Sequence, residues 1–159
     1  IALAVEVATM GFDEVQFDYV RFPTDGGIRG LVYQQESTFE SRVAAVSGFL
    51  AETYEALAPT PAFFSADIYG LTVWVTDPNC DRKPLCDLGI GQWVEDMAAH
   101  VDYLSPMLYP DTFAPGSFGY TQPASYPTTS SIAVWSRRCS VQIRRCAPGS
   151  RTIRHLGWG

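Results

Sequence analysis

The chain has 159 residues, is 47% apolar and 18% charged, and carries a net charge of −6. That is a globular composition of about one domain's length, which excludes a disordered chain. The negative balance excludes a general nucleic-acid binder, because such proteins neutralise phosphates with Lys and Arg. No run of about 18 apolar residues is present, so no transmembrane segment is expected.

The charge is unevenly spread. All 17 acidic residues lie between Glu6 and Asp111, and six of the 11 basic residues (Arg137, Arg138, Arg144, Arg145, Arg151, Arg154) lie in the last 23. Residues 1–136 therefore carry −12 and residues 137–159 carry +6. Such asymmetry marks a basic arm or a change of segment. The apolar opening, Ile1 to Ala8, lacks a basic leader and does not read as a signal peptide.

In chain order, Ile1 to Met10 reads as the end of a helix closed by Gly11, where a left-handed cap is favoured. Val15 to Val20 alternates as a strand, with Val15, Phe17 and Tyr19 on one face and Gln16, Asp18 and Val20 on the other. Pro23 and Gly26-Gly27 end it. Ser37 and Glu40 have capping-box spacing, and Phe39, Val43, Val46, Leu50, Tyr54 and Leu57 then recur at helical intervals up to Pro59. A second strand follows over Ala62 to Ile68, with Ser65, Asp67 and Tyr69 on one face. Residues 71–89 read as a loop. Ile90, Trp93, Val94, Met97 and Val101 mark a short helix, and Val101 to Leu108 a third strand.

Strands alternating with helices imply parallel β/α units with right-handed crossovers. Ligands bind such sheets at the carboxyl ends of the strands. Polar and aromatic clusters fall there: Asp18-Tyr19-x-Arg21, Asp67-x-Tyr69 and Ser105-x-Met107-x-Tyr109. After Tyr126 the apolar pattern fails, and residues 128–159 read as an irregular basic tail.

Two acids ending successive parallel strands, Asp18 and Asp67, can face one cleft, as glycoside hydrolysis requires. The competing reading of Asp18 is a structural pair with Arg21. Tyr69, Tyr109 and Trp74 have the shape and polarity to stack on sugar faces, with ordinary packing as their bland alternative. Gln92 opens a helix beside the cleft, as a cap or as a substrate contact. Asp102 begins its strand, away from the proposed site, and reads as structural; His100 ends a helix, where a cation suits the dipole.

The cysteines come as Cys80/Cys86 and Cys139/Cys146, and neither spacing fits a zinc site, so no metal is expected. A small disulfide loop between Cys80 and Cys86 fits better, and implies an oxidising compartment.

Four collinear segments resemble a bacterial glycoside hydrolase domain family long catalogued only as a domain of unknown function. They are Gly11-Phe12-Asp13-Glu14-Val15-Gln16-Phe17-Asp18-Tyr19-Val20-Arg21-Phe22-Pro23, Ser65-Ala66-Asp67-Ile68-Tyr69-Gly70, Gly89-Ile90-Gly91-Gln92, and Val101-Asp102-Tyr103-Leu104-Ser105-Pro106-Met107-Leu108-Tyr109-Pro110. The resemblance runs over residues 1–127. It implies a (β/α)₈ barrel of the TIM type, a poly- or oligosaccharide substrate and an extracytoplasmic setting, with no cofactor. By analogy with retaining barrel glycosidases, Asp18 maps to the nucleophile and Asp67 to the general acid/base. Tyr19, Arg21, Tyr69, Trp74, Gln92, Met107 and Tyr109 are the expected substrate contacts.

A barrel of this kind needs about 250 residues, so the chain is expected to be a fragment covering roughly the fourth to sixth strands. Alone, it is expected to be marginally stable. Arg-rich, acid-free sequence starting abruptly at Ser136 also has the character of an altered reading frame. The alternative to a glycosidase is a catalytically inactive carbohydrate-binding barrel module of an envelope or cell-wall protein. A third reading is an interaction scaffold whose acidic face meets a cationic partner.

Overall fold

The computed structural model describes residues 1–24, 26–73 and 86–138. Its elements alternate: α1 (Ala2–Thr9), β1 (Glu14–Phe17), α2 (Phe39–Leu57), β2 (Phe63–Tyr69), α3 (Val94–Ala98), β3 (Tyr103–Met107) and α4 (Pro127–Arg138). The three strands form one parallel sheet in the order β1-β2-β3. Parallel neighbours cannot be joined by a tight turn, and the crossovers here carry α2 and α3.

The register sorts the side chains. Val15 lies beside Phe64, Phe17 beside Ala66, Ala66 beside Leu104, and Ile68 beside Pro106. This apolar file meets Ala4 and Ala8 of α1, Val46, Leu50 and Leu57 of α2, and Val94 and Met97 of α3 in one core. Phe17 packs edge-on to Phe64 at 5.5 Å and against Phe49 of α2 at 5.3 Å. Leu50 and Phe64 are fully buried, which contributes about 1.5–3 kcal/mol each.

Side chains alternate across a strand, so the opposite face carries Glu14 and Gln16 from β1, Ser65, Asp67 and Tyr69 from β2, and Tyr103, Ser105 and Met107 from β3. One face of the sheet is thus core and the other largely polar.

The sequence reading locates α2 well: Phe39, Val43, Val46, Leu50 and Leu57 are all buried, and Tyr54 packs on the core. Its cap is one residue later than expected. Thr38 is the N-cap and pairs reciprocally with Ser41. Ser37 is engaged elsewhere, accepting from the Arg42 guanidinium through both its carbonyl and its hydroxyl.

Two further expectations are corrected. The first strand ends at Phe17 rather than Val20. Tyr19 sits in left-handed backbone at φ 56°, which breaks the alternation. Tyr19 is therefore 67% exposed instead of sharing the buried face of Val15 and Phe17, while Val20 turns towards the core. Residues 127–138 are helical rather than irregular. Pro127 opens α4, where its fixed φ and missing N–H cost nothing, and the buried Ser130 hydroxyl donates to the Tyr126 carbonyl at 2.7 Å.

Gly70 closes β2 against the end of β3. A Cβ there would lie 2.2 Å from the Met107 carbonyl oxygen, so the backbones themselves would have to part. Gly70→Ala is expected to cost about 1–3 kcal/mol by overpacking, read as a lower urea midpoint. An unchanged midpoint would show that the strand ends are looser than this contact requires.

Candidate active site

The polar file of the sheet converges on Asp67. From β1, Gln16 Nε2 donates to Asp67 Oδ1 at 2.5 Å and to Ser105 Oγ on β3 at 3.2 Å. One amide therefore spans all three strands. Nearer the amino ends, the buried Ser65 hydroxyl donates to Glu14 Oε1 at 2.5 Å. Asp67 itself is half-buried.

Asp18 stands at the carboxyl end of β1 and is exposed. The chain turns sharply there. The Tyr19 N–H donates to Asp18 Oδ1 at 2.7 Å, and the Arg21 N–H donates to the Tyr19 carbonyl at 2.8 Å. Non-glycine residues in left-handed backbone are uncommon and concentrate at functional sites. The turn also stacks the Arg21 guanidinium over the Tyr19 ring, 5.2 Å from its centroid, and brings it to Thr24 Oγ1 at 3.5 Å.

The surroundings of Asp67 favour its protonated form. Burial pushes the Asp67 carboxyl above the ordinary carboxylate range, the negative charge of Asp18 pushes it further, and the Gln16 amide only partly opposes this. A carboxyl group with a neighbouring carboxylate and limited solvation keeps its proton to higher pH.

Gln92 is a brace beneath this site. It is buried at 1% exposure. Its Oε1 accepts from the Tyr69 N–H at 2.8 Å and from Thr72 Oγ1 at 3.4 Å. Its Nε2 donates to the Val20 carbonyl at 3.1 Å and to the Asp67 carbonyl at 3.5 Å. The amide is fully used holding the segment after β1 against β2. It caps backbone, one of the two roles its sequence position offered, and has no polar atom left for a sugar hydroxyl.

The brace is itself anchored. Asp87 is fully buried and takes a two-pronged contact from Arg42 of α2: Nε to Oδ2 at 2.7 Å and Nη2 to Oδ1 at 2.9 Å. The N–H groups of Gly89 and Gly91 also donate to it, at 3.1 and 2.8 Å. Burial alone would raise the Asp87 carboxyl, but Arg42 and these two amides hold it below the ordinary range. Gly91 fits only as glycine. Its φ is 79°, and a Cβ would approach the Arg42 carbonyl oxygen to 2.8 Å.

Around the rim, Tyr69 and Met107 lie side by side at the ends of β2 and β3, and Tyr109 follows, 56% exposed. Asp102 takes the structural role expected of it. At the opposite end of the sheet its Oδ2 accepts from the Phe64 N–H at 2.9 Å. Trp74 and Cys80 lie outside the described residues. Cys86 is disulfide-bonded.

The residues missed from sequence are Gln16, Glu14 and the Arg42–Asp87 pair. For Gln16 the signal was available, since alternation puts it on the face of Asp18. Among the described residues no group of three or more His, Cys, Asp or Glu side chains is placed to hold a metal ion. Within them, no helix is long and apolar enough to cross a membrane.

Two carboxyl groups at the carboxyl ends of adjacent parallel strands agree with the comparison to known families. The chain belongs to the family described as a putative glycosyl hydrolase domain, whose sequence model matches residues 1–147. No curated protein and no solved structure shows a significant match to it. The match to the glycosyl hydrolase domain takes in every strand, both candidate carboxylates and all of α4.

Proposed function

We propose that this glycosyl hydrolase domain cleaves a poly- or oligosaccharide through the Asp18 and Asp67 pair. The observation that carries the reading is their placement at the carboxyl ends of adjacent parallel strands. Asp67 is pushed to hold a proton by burial and by the charge of Asp18, while Asp18 stands exposed at the strand end. A general acid beside a carboxylate is the division of labour that glycoside hydrolysis uses.

In this mechanism Asp18 attacks the anomeric carbon and the glycosidic C–O bond breaks. Asp67 gives its proton to the departing oxygen. Water then attacks the glycosyl–Asp18 ester, Asp67 takes the water's proton, and the sugar leaves with its configuration retained. Tyr19, Tyr69, Met107 and Tyr109 are the proposed sugar-facing rim, with Arg21 supporting Tyr19, and Trp74 joins them from its place in the sequence. We further propose that β1 to β3 and their helices are a sector of a (β/α)₈ barrel whose interior is the polar file. The covering of the opposite face by α1, α2 and α3 supports this. A disulfide between Cys80 and Cys86 and an extracytoplasmic location belong to the same proposal.

The test is Asp18→Asn assayed on a polysaccharide panel, with the anomer of the first product followed by NMR. Hydrolysis is expected to fall to background with binding kept, and the wild type to release the retained anomer. Wild-type rates in Asp18→Asn overturn the assignment. Sugar binding without turnover in the wild type would instead indicate a binding module.

A further inference from the structure

We infer that Gln16 is the positioning residue for the Asp67 carboxyl group, fixing which of its oxygens carries the acid proton. This rests on the reading of Asp67 as the general acid.

The argument begins with what an amide can do. Gln16 Nε2 has two hydrogens and no acceptor capacity. One goes to Asp67 Oδ1 and the other to Ser105 Oγ. Oδ1 is held as an acceptor, so the transferable proton is directed to Oδ2. The second hydrogen bond matters equally. Ser105 lies beside Asp67 in the register of β2 and β3, so the amide is tied to both strands and cannot follow the carboxyl group if it rotates. β1 thus sets the orientation of an acid carried by β2, with β3 as the fixed point.

The same contact tunes the proton. The titratable groups sharing this face are Glu14 at the start of β1, Tyr69 on β2 and Tyr103 on β3, with Asp18 just beyond the end of β1 close enough to act on Asp67. Burial and Asp18 favour the protonated form, and Gln16 favours the ionised one. A group that must donate a proton and later take one back works best when neither form dominates. Gln16 supplies the opposing pull.

Gln16 is exposed, so replacing it leaves the core untouched. The experiment compares Gln16→Met, which keeps length and removes the donor, with Gln16→Glu, which also adds a like charge. The Asp67 carboxyl is titrated by carbon-13 NMR in each, alongside pH–rate profiles. The midpoint is expected to rise by about one pH unit in Gln16→Met, the scale of one charge-assisted hydrogen bond, and further in Gln16→Glu. The basic limb of kcat should move with it, and kcat should fall about tenfold with KM nearly unchanged, the pattern of an interaction lost in the transition state. Hydrolysis in both variants with an unmoved Asp67 midpoint overturns the inference alone. A midpoint that follows the series in a protein that hydrolyses no glycoside upholds the contact and removes the glycosidase reading instead.

Discussion

Asp87→Ala is expected to cost about 3–5 kcal/mol of folding stability, the usual penalty for leaving a buried charge unpaired. Arg42 is 9% exposed and Asp87 is not exposed at all. Without the carboxylate, the guanidinium keeps only Ser37 among these partners, and the N–H groups of Gly89 and Gly91 lose their acceptor. Urea denaturation checks this directly. The double replacement Arg42→Met with Asp87→Leu separates a stranded charge from lost packing. It should recover part of the loss, because it removes the stranded charge while the Gly89 and Gly91 N–H groups still lack their acceptor. Near-wild-type stability in Asp87→Ala would overturn the argument.

The pH dependence has a definite sign. Asp87 is held below its ordinary value, so its stabilising effect is present above the unfolded-state pKa, about 3.9. It is lost as pH falls through the lower, folded value. Wild type and Asp87→Ala should therefore converge only in acid. The pair also matters for the site. Asp87 fixes Gly91, the next residue is Gln92, and Gln92 holds Val20 and Tyr69. The Phe22 N–H, bonded to the Ile90 carbonyl at 2.9 Å, ties the segment carrying Asp18 to the same loop. A charge pair between α2 and the loop before α3 thus sets the strand ends that carry the two candidate carboxylates.

How much of this was legible in the sequence depends on the range of the interaction concerned. The periodicity of Phe39, Val43, Val46, Leu50 and Leu57 fixed the buried stripe of α2, because helical phase is a local property. The alternation Ser65, Asp67, Tyr69 put the acid on the correct face for the same reason. Tyr19 escaped, since a single left-handed residue leaves no periodic trace and only the backbone shows that the strand has ended. Arg42 and Asp87 are 45 residues apart, and nothing local announces their meeting. The one available signal was Asp87 followed by glycines at positions 89 and 91, a spacing that lets backbone N–H groups curl onto a carboxylate. Helix α4 was hidden by its Ser- and Thr-rich start, residue types that favour caps and turns over helix interiors.

Asp67→Asn is expected to divide substrates by their leaving group. The amide cannot donate the carboxyl proton, so cleavage of a sugar–sugar bond should slow by about 100- to 10,000-fold, the usual worth of a positioned general acid. An aryl glycoside with an acidic phenol needs little protonation to depart. Its first step should proceed nearly unchanged while the second, which needs Asp67 as base, lags, giving a burst of phenol. Equal losses on both substrates would remove Asp67 from the acid role. The same variant should be slightly more stable than wild type at neutral pH. A carboxyl raised above its ordinary value binds protons more tightly folded than unfolded, so its ionisation weakens the fold as pH rises from about 3.9 through the raised value. The neutral amide escapes that penalty. The gain should be about 1 kcal/mol or less, because Asp67 is only half-buried and water screens its charge. It should vanish in acid, where wild-type Asp67 is protonated too. A protein that becomes more stable as it loses its acid has been holding that carboxyl group in place for chemistry rather than for folding.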